Sequence, residues 1–118
     1  MTRCRVLLID DHDNIRFGLR CLFEAQGHTV QEADDGLDGV RKARAWRPHV
    51  AVVDIDMPLL DGYGVARQIR QALGDGIRLI ALTGQDDQER ALAAGFDAYF
   101  RKPTAPERFY PLLEEAMP

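Results

Sequence analysis

The 118-residue chain has little of several features that mark specialised classes of protein. It has only two cysteines, Cys4 and Cys21, too few for a disulfide framework and too widely spaced for a metal-binding pair, so we expect both to be reduced. No apolar run approaches the roughly 18 residues of a membrane span, and no signal-peptide cleavage site follows the basic N-terminus. These absences favour a cytoplasmic protein with no membrane insertion.

Basic residues are also in short supply, since 15 Lys and Arg compare with 19 Asp and Glu, a formal net charge of −4. Nucleic-acid-binding surfaces are normally basic, so we expect no direct nucleic-acid binding by this domain. The acidic residues are concentrated in two short stretches, each at the end of an apolar run. These stretches contain Asp10, Asp11, Asp13, Asp54, Asp56 and Asp61.

Five short apolar runs alternate with helical patterns along the chain. The first, third and fourth runs are almost continuously aliphatic, which is typical of strands buried on both faces of a parallel sheet. The second and fifth are more polar and suit edge strands. The runs cover residues 5–10, 28–33, 50–55, 78–83 and 97–102.

The segments between the runs carry apolar residues at helical spacing and end at glycine or proline. Parallel strands need crossover connections that place helices on both faces of the sheet, so the pattern predicts a three-layer α/β sandwich. The length suits a single domain, residues 1–118. The expected helices end at Gly27, Pro48, Gly74 and Gly95, the fourth begins at Asp86, and a capping box of Thr104 and Glu107 opens the fifth.

Polar side chains stand where four of the predicted strands end. Asp10 and Asp11 follow the first strand, and Asp54 ends the third. Thr83 ends the fourth strand and Lys102 the fifth. Ligands of such folds bind at the carboxyl ends of the strands, so we expect these five residues to converge on one edge of the sheet.

The converging side chains suit a metal-dependent phosphoryl-transfer site. Two carboxylates about 4 Å apart repel by roughly 4 kcal/mol at an effective dielectric of about 20, and a hard cation such as Mg²⁺ relieves this repulsion. The metal and Lys102 would neutralise the oxygens of a phosphoryl group while Thr83 donates a hydrogen bond. A carboxylate can itself be the nucleophile, and Asp54, central among the strand ends, is the candidate.

Each element also has a simpler interpretation when taken alone. Residues 10–13 can be a solvated loop that opens a helix, with Asp13 as its N-cap. Thr83 can merely end a strand, and Lys102 can be a solvated lysine before a helix boundary. The presence of all these elements, each at a different strand end, favours the phosphoryl-transfer site.

Four motifs together resemble the receiver domain of bacterial two-component response regulators over nearly the whole chain: VLLIDDHDNIR, VVDIDMPLLDGYG, IALTG and AGFDAYFRKP. The resemblance implies the flavodoxin-like receiver fold, a five-stranded parallel sheet in the order 2-1-3-4-5. It also implies a phosphoprotein of phosphorelay signal transduction. A histidine kinase or histidine phosphotransfer domain would donate the phosphoryl group, and a downstream output domain or protein would read the result. Such a domain catalyses its own phosphorylation and dephosphorylation but is not otherwise an enzyme.

The resemblance implies a role for each residue that matches the family's motifs. Asp54 would be the phosphoacceptor. Asp10 and Asp11 would be the acidic pair that binds Mg²⁺ or Mn²⁺, with Asp54 and the backbone carbonyl of Asp56 as further metal ligands.

The resemblance also implies a two-state switch. Thr83 would move toward the phosphoryl group, and Tyr99 would rotate into the space that this opens. The surface of helix 4, strand 5 and helix 5 would then change, and a partner would read it. Lys102 would also bind the phosphoryl group, and a cis peptide to Pro103 would follow it.

A few positions are assigned less directly. Asp56 and Gln85 occupy positions that vary in the family and tune phosphoryl lifetime, although Asp56 can also be a simple solvated acid. Ile15 resembles an apolar docking position for a histidine phosphotransfer partner, and a core helix position explains it equally well. The remaining titratable candidates are most simply surface or loop histidines: His12, His28 and His49.

Two alternative functions belong to other classes. Haloacid dehalogenase-type phosphatases also begin with an apolar strand ending in Asp-x-Asp and use an aspartyl-phosphate, Mg²⁺, a hydroxyl and a lysine. In that family the acidic pair comes last, whereas here Asp10 and Asp11 precede the Asp-x-Asp stretch. A degenerate receiver that acts only as a protein-interaction module would not need the complete residue set that this chain has.

Overall fold

The computed structural model of the protein describes residues 3–84, 87–102, 106–109 and 111. Among these residues no helix combines the length and apolar character needed to cross a membrane. The strands are β1 (Arg5–Ile9), β2 (Thr29–Ala33), β3 (Val50–Asp54), β4 (Arg78–Thr83) and β5 (Ala98–Arg101). The helices are α1 (Asp13–Ala25), α2 (Gly36–Trp46), α3 (Gly62–Leu73) and α4 (Gln88–Ala94), followed by a 3₁₀ helix at Pro106–Phe109.

The five strands form one parallel sheet in the order β2-β1-β3-β4-β5. This order confirms the prediction, including the edge positions of the second and fifth strands. Each observed strand begins and ends within one residue of its predicted apolar run.

Two apolar cores cover the two faces of the sheet, because successive side chains of a strand point to opposite faces. On one face, Leu7 of β1 lies in a core that includes Ala91 of α4. On the other face, Val6 lies in a core with Phe23 of α1 and Phe109 of the 3₁₀ helix. Each fully buried aliphatic side chain of this kind contributes about 1.5–3 kcal/mol to stability. The two cores confirm the three-layer α/β sandwich.

Capping residues mark the end of α2 and the start of α4. Helix α2 ends at Trp46, and its C-cap, Arg47, takes the left-handed conformation (φ 51°) that is common where helices end, directly before Pro48. Helix α4 begins at Gln88, with the side chain of Asp87 as its N-cap, two residues later than predicted. The predicted start of this helix, Asp86, lies outside the described residues, as does Thr104 of the predicted capping box.

Two histidines predicted at the surface or in loops accept hydrogen bonds from the backbone at the start of β1. The Nδ1 of His28 accepts the N–H of Cys4 at 3.0 Å, and the Nδ1 of His49 accepts the N–H of Arg5 at 2.9 Å. Burial lowers the pKa of both rings, which favours the neutral acceptor form. Both lie in loops, as the sequence suggested, and His28 is also buried, where it accepts a backbone N–H beside the sheet.

Gly62 allows α3 to begin directly against the end of β3. Its N–H donates to the carbonyl of Ile55 at 3.1 Å. A Cβ at this position would lie 2.5 Å from Ile55 Cα and 2.7 Å from the backbone oxygen of Asp54. Because these are backbone atoms at the carboxyl end of β3, they cannot move aside without distorting that end of the sheet.

We therefore expect Gly62→Ala to lower the free energy of unfolding by about 1–3 kcal/mol in urea denaturation. Gly18→Ala is the matched control, since Gly18 lies within α1 with no atom within 4 Å of its would-be Cβ. Alanine there should leave stability unchanged or raise it by up to about 1 kcal/mol. Equal stabilities of the two variants would contradict the packing explanation.

Candidate functional site

The carboxyl ends of β1, β3, β4 and β5 meet at one edge of the sheet. Backbone hydrogen bonds fix this edge, since Ile55 N donates to Leu82 O at 2.8 Å and Lys102 N donates to Thr83 O at 2.7 Å. The predicted residues are therefore carried to the same edge by different elements. They are Asp10, Asp11, Asp54, Thr83 and Lys102.

Asp54 is the central residue of this edge and is fully buried. Its Oδ1 accepts the N–H of Asp56 at 3.0 Å and lies 3.0 Å from the Nζ of Lys102. Its Oδ2 has no hydrogen-bond partner among the described residues. Burial raises the pKa of Asp54, and the charge of Asp10 raises it further, while the Asp56 N–H and Lys102 act in the opposite direction. Oδ1 is thus held by the Lys102 ammonium and an N–H, whereas Oδ2, 3.5 Å from His12 Nδ1, is open in the sense that it accepts no hydrogen bond among the described residues.

Asp10 is the second buried carboxylate, 3% exposed. Its Oδ1 accepts the backbone N–H of His12 at 2.8 Å, and its Oδ2 lies 3.8 Å from Lys102 Nζ without a hydrogen bond in the described part of the chain. The guanidinium of Arg16 donates to the backbone oxygen of Asp10 at 2.6 Å and so fixes the loop after β1. Asp11, beside it, faces solvent.

The carboxylates of Asp10 and Asp54 are suitable ligands for a divalent metal ion. The two open oxygens, Asp10 Oδ2 and Asp54 Oδ2, are buried, and a buried carboxylate oxygen without a partner is costly. A cation would satisfy both oxygens and relieve the repulsion between the two side chains. Carboxylate oxygens are the ligands that Mg²⁺ and Mn²⁺ prefer, so the donor set suits these ions.

The side chain of Asp56 connects the ends of β3 and β4. Its Oδ2 accepts the N–H of Gly84 at 2.9 Å and the hydroxyl of Thr83 at 3.4 Å. The Thr83 side chain is buried, whereas Asp56 is largely exposed. Asp56 therefore makes specific hydrogen bonds to the end of β4, and the switch role of Thr83 stays a prediction.

The other predicted positions lie farther from this cluster or outside the described residues. Tyr99 is half-buried on β5 opposite Ala81 and packs against the core on the face of α2, α3 and α4. Ile15 is half-buried on α1. Their switch and docking roles stay predictions. Gln85 and the peptide to Pro103 lie outside the described residues.

His12 also lies in this cluster, although the sequence suggested only a surface or loop histidine. Its Nδ1 lies 2.9 Å from Asp10 Oδ1, 3.1 Å from Asp11 Oδ1 and 3.5 Å from Asp54 Oδ2. The hydrogen bond to Asp10 is the main cause that raises the pKa of His12. His12 is also the N-cap of α1, so the alternative with Asp13 as N-cap is wrong by one residue. The only sequence signal was its position directly after the acidic pair.

The protein is a doubly wound α/β domain, and it has a cluster of acidic residues at the carboxyl ends of its strands, where such domains bind ligands. The chain belongs to the response regulator receiver domain family, whose sequence profile matches residues 6–114. This match confirms the resemblance found in the motifs and places the protein in two-component signalling.

Named relatives agree with this family. Response regulator MprA of Mycobacterium ulcerans is 38% identical over 106 residues, which cover 87% of this chain and 45% of that protein. BvgA of Bordetella pertussis is 44% identical over 82 residues, which cover 69% of this chain and 39% of that protein. The chain thus spans less than half the length of either relative.

Solved structures share the fold. Chemotaxis protein CheY4 of Vibrio cholerae matches with a TM-score of 0.88 and 25% identity, over 97% of this chain and 98% of that chain. The receiver domain of sensor histidine kinase PA1611 from Pseudomonas aeruginosa PAO1 matches with a TM-score of 0.84 and 30% identity, over 95% of each chain. That domain has a magnesium ion coordinated in its active-site cleft.

Proposed function

We propose that residues 1–118 form one cytoplasmic receiver domain whose Asp54 accepts a phosphoryl group from a histidine kinase or histidine phosphotransfer domain. The observation that carries the proposal is the buried Asp54 carboxylate, with Oδ2 open and Lys102 Nζ 3.0 Å from Oδ1. Such a carboxylate can act as nucleophile through one oxygen while its other oxygen contacts the metal ion, and the adjacent ammonium offsets the charge of the incoming phosphoryl oxygens. The domain would catalyse the transfer of this group from the donor's phosphohistidine to its own Asp54, and the later hydrolysis of the aspartyl-phosphate.

The metal would be held by the carboxylates of Asp10, Asp11 and Asp54 and by the backbone carbonyl of Asp56. The two buried open oxygens of Asp10 and Asp54 support this assignment, as does the magnesium ion in the cleft of the PA1611 receiver domain. When bound, the ion supplies positive charge that neutralises phosphoryl oxygens. Mn²⁺ takes similar oxygen ligands and should replace Mg²⁺.

Phosphorylation of Asp54 would give new acceptors to the two groups that now donate hydrogen bonds to Asp56. A phosphoryl group on Asp54 presents strong acceptor oxygens, and the Thr83 hydroxyl and Gly84 N–H are the donors beside it. Their movement toward the phosphoryl group would allow Tyr99 to rotate and would change the surface of α4, β5 and the predicted fifth helix. A downstream output domain or protein would read that surface.

Two further roles are proposed on resemblance alone. Ile15 on α1 would belong to the docking surface for the phosphotransfer partner, and its half-buried side chain leaves part of it available for contact. Gln85 would tune the lifetime of the phosphoryl group.

Incubation with acetyl phosphate and Mg²⁺, followed by phosphate-affinity electrophoresis, tests the proposed function. We expect one phosphorylated species that decays after the donor is removed and does not form when EDTA replaces Mg²⁺. Sustained turnover of p-nitrophenyl phosphate would instead support the phosphatase. Failure to bind Mg²⁺ in calorimetric titration would support the degenerate receiver.

Replacement of Asp56 should lengthen the lifetime of the phosphorylated protein. Asp56→Ala removes a negative charge beside the phosphoryl group and removes one acceptor of the Gly84 N–H and the Thr83 hydroxyl. We expect dephosphorylation to slow roughly threefold to tenfold, the effect of about one hydrogen bond on the barrier. The decay of labelled protein after removal of acetyl phosphate measures the rate.

Asp75→Ala is the matched control, because Asp75 is an exposed aspartate before β4, at the opposite edge of the sheet. Its decay rate should equal that of the unmodified protein. An Asp56→Ala decay rate equal to that of the control would refute the tuning role.

A further inference from the structure

We propose that His12 is an additional ligand of the metal site, donating its Nδ1 to the cation, and that it raises the affinity for first-row transition-metal ions relative to Mg²⁺. The inference rests on the metal site of the proposed function and adds a nitrogen to its oxygen ligands. His12 would thereby determine which metal the site prefers.

The spacing of the four donor atoms is that of a single coordination shell. His12 Nδ1 lies 2.9, 3.1 and 3.5 Å from one oxygen each of Asp10, Asp11 and Asp54. In an octahedral shell with bonds of about 2.1 Å, neighbouring ligands are about 3 Å apart and opposite ligands about 4.2 Å. The ligand atoms of the four residues all lie within 4.8 Å of one another. One cation can therefore reach all four after small adjustments.

The local structure of the helix does not account for the orientation of the ring. His12 is the N-cap of α1, yet its side chain makes no capping hydrogen bond to the helix. N-cap side chains ordinarily accept an N–H from the first turn, and serine, threonine, asparagine and aspartate do so best. Instead, its Nδ1 is hydrogen-bonded to Asp10 Oδ1 at 2.9 Å and lies 3.5 Å from Asp54 Oδ2, a buried oxygen without a hydrogen-bond partner among the described residues.

An imidazole ligand changes the relative affinity for different metal ions. Mg²⁺ is a hard ion that prefers oxygen and retains several waters, so it gains little from a nitrogen donor. Ions such as Co²⁺, Ni²⁺ and Zn²⁺ bind imidazole well, and affinity for mixed sites rises from Mn²⁺ to Ni²⁺. Removal of His12 should therefore weaken Ni²⁺ binding much more than Mg²⁺ binding.

Calorimetric titration of tag-free, metal-stripped protein with Mg²⁺ and with Ni²⁺ tests the selectivity, at a pH of about 8 to keep ordinary imidazoles neutral. His12→Ala should lose Ni²⁺ affinity roughly tenfold or more, because even outer-shell partners of metal ligands are worth about that much. Its Mg²⁺ affinity should stay within about twofold. His49→Gln is the control for another histidine, and it should keep the Ni²⁺-to-Mg²⁺ ratio of the unmodified protein.

Pulsed electron paramagnetic resonance of the Mn²⁺-loaded protein provides an independent readout. We expect a directly coordinated nitrogen whose signal changes when histidine is labelled with ¹⁵N and disappears in His12→Ala. Absence of a histidine nitrogen, or an unchanged Ni²⁺-to-Mg²⁺ ratio in His12→Ala, would overturn the role of His12 and leave the oxygen site intact. Failure of the unmodified protein to bind Mg²⁺ would instead overturn the metal site itself.

Discussion

Asp54→Asn and Asp54→Ala are expected to lose phosphorylation by acetyl phosphate and by a histidine kinase completely. Neither replacement side chain can serve as the nucleophile. The neighbouring carboxylate of Asp10 is less well placed to replace it, since its Oδ2 lies 3.8 Å from Lys102 Nζ whereas Asp54 Oδ1 lies 3.0 Å away. Phosphate-affinity electrophoresis and intact-protein mass measure the loss.

The control for this loss is Asp75→Asn, an exposed aspartate at the other edge of the sheet. It should be labelled to the same extent as the unmodified protein, which shows that removal of an aspartate does not by itself reduce labelling. Undiminished labelling of the Asp54 variants would mean that the acceptor is another residue.

The same Asp54→Asn substitution should stabilise the metal-free protein. Asp54 is fully buried with one open carboxylate oxygen, and its pKa is raised by burial and by Asp10. A neutral amide of the same shape removes the burial of charge and the repulsion from Asp10. The substitution also removes a partner of Lys102, but the raised pKa indicates that burial and Asp10 outweigh this contact, so we expect the free energy of unfolding and the Tm to rise.

The dependence on pH has a definite sign. Because the folded-state pKa of Asp54 is raised above its unfolded value, the folded protein binds this proton more tightly. The destabilisation is therefore fully present above the raised pKa and disappears as the pH falls through it. The stability advantage of Asp54→Asn should be largest at neutral pH and shrink on acidification.

Mg²⁺ should reduce the stability advantage of Asp54→Asn. A ligand that binds only the folded state stabilises it in proportion to the logarithm of its concentration above Kd. The unmodified protein should gain stability from Mg²⁺, and Asp54→Asn, which lacks one proposed carboxylate ligand, should gain less. Urea denaturation with and without Mg²⁺ measures both effects. A metal-free Asp54→Asn that is no more stable than the unmodified protein would contradict the cost assigned to the buried carboxylate.

Hydrophobic periodicity predicted the strands and the edge at which the candidate site residues converge, whereas the strand order was taken from the resemblance to receiver domains. Continuous aliphatic runs marked β1, β3 and β4 as buried strands, and their polar last residues had to emerge at one edge. The convergence of Asp54 and Lys102 follows from that topology alone, and the structure places the two side chains in contact.

The contacts of His12 and Asp56 could not be predicted, because they depend on side-chain directions in loops, which sequence periodicity does not determine. The ring of His12 turns toward three carboxylates although the same residue caps a helix. Asp56 reaches across to the end of β4, which a position two residues after Asp54 does not reveal. Both contacts depend on the conformations of the loops after β1 and β3. These loops bring the His12 ring to carboxylates, and the Asp56 carboxylate to an N–H, at the ends of the strands.

Peptide mapping of the protein after reaction with acetyl phosphate and Mg²⁺ tests the central claim most directly. Reduction of the acyl phosphate with borohydride converts the phosphorylated aspartate into homoserine, which mass spectrometry can locate in the sequence. The account predicts a single modified residue, Asp54, and no modification when EDTA replaces Mg²⁺. Modification at another residue, or none at Asp54 in protein shown to bind Mg²⁺, would contradict it.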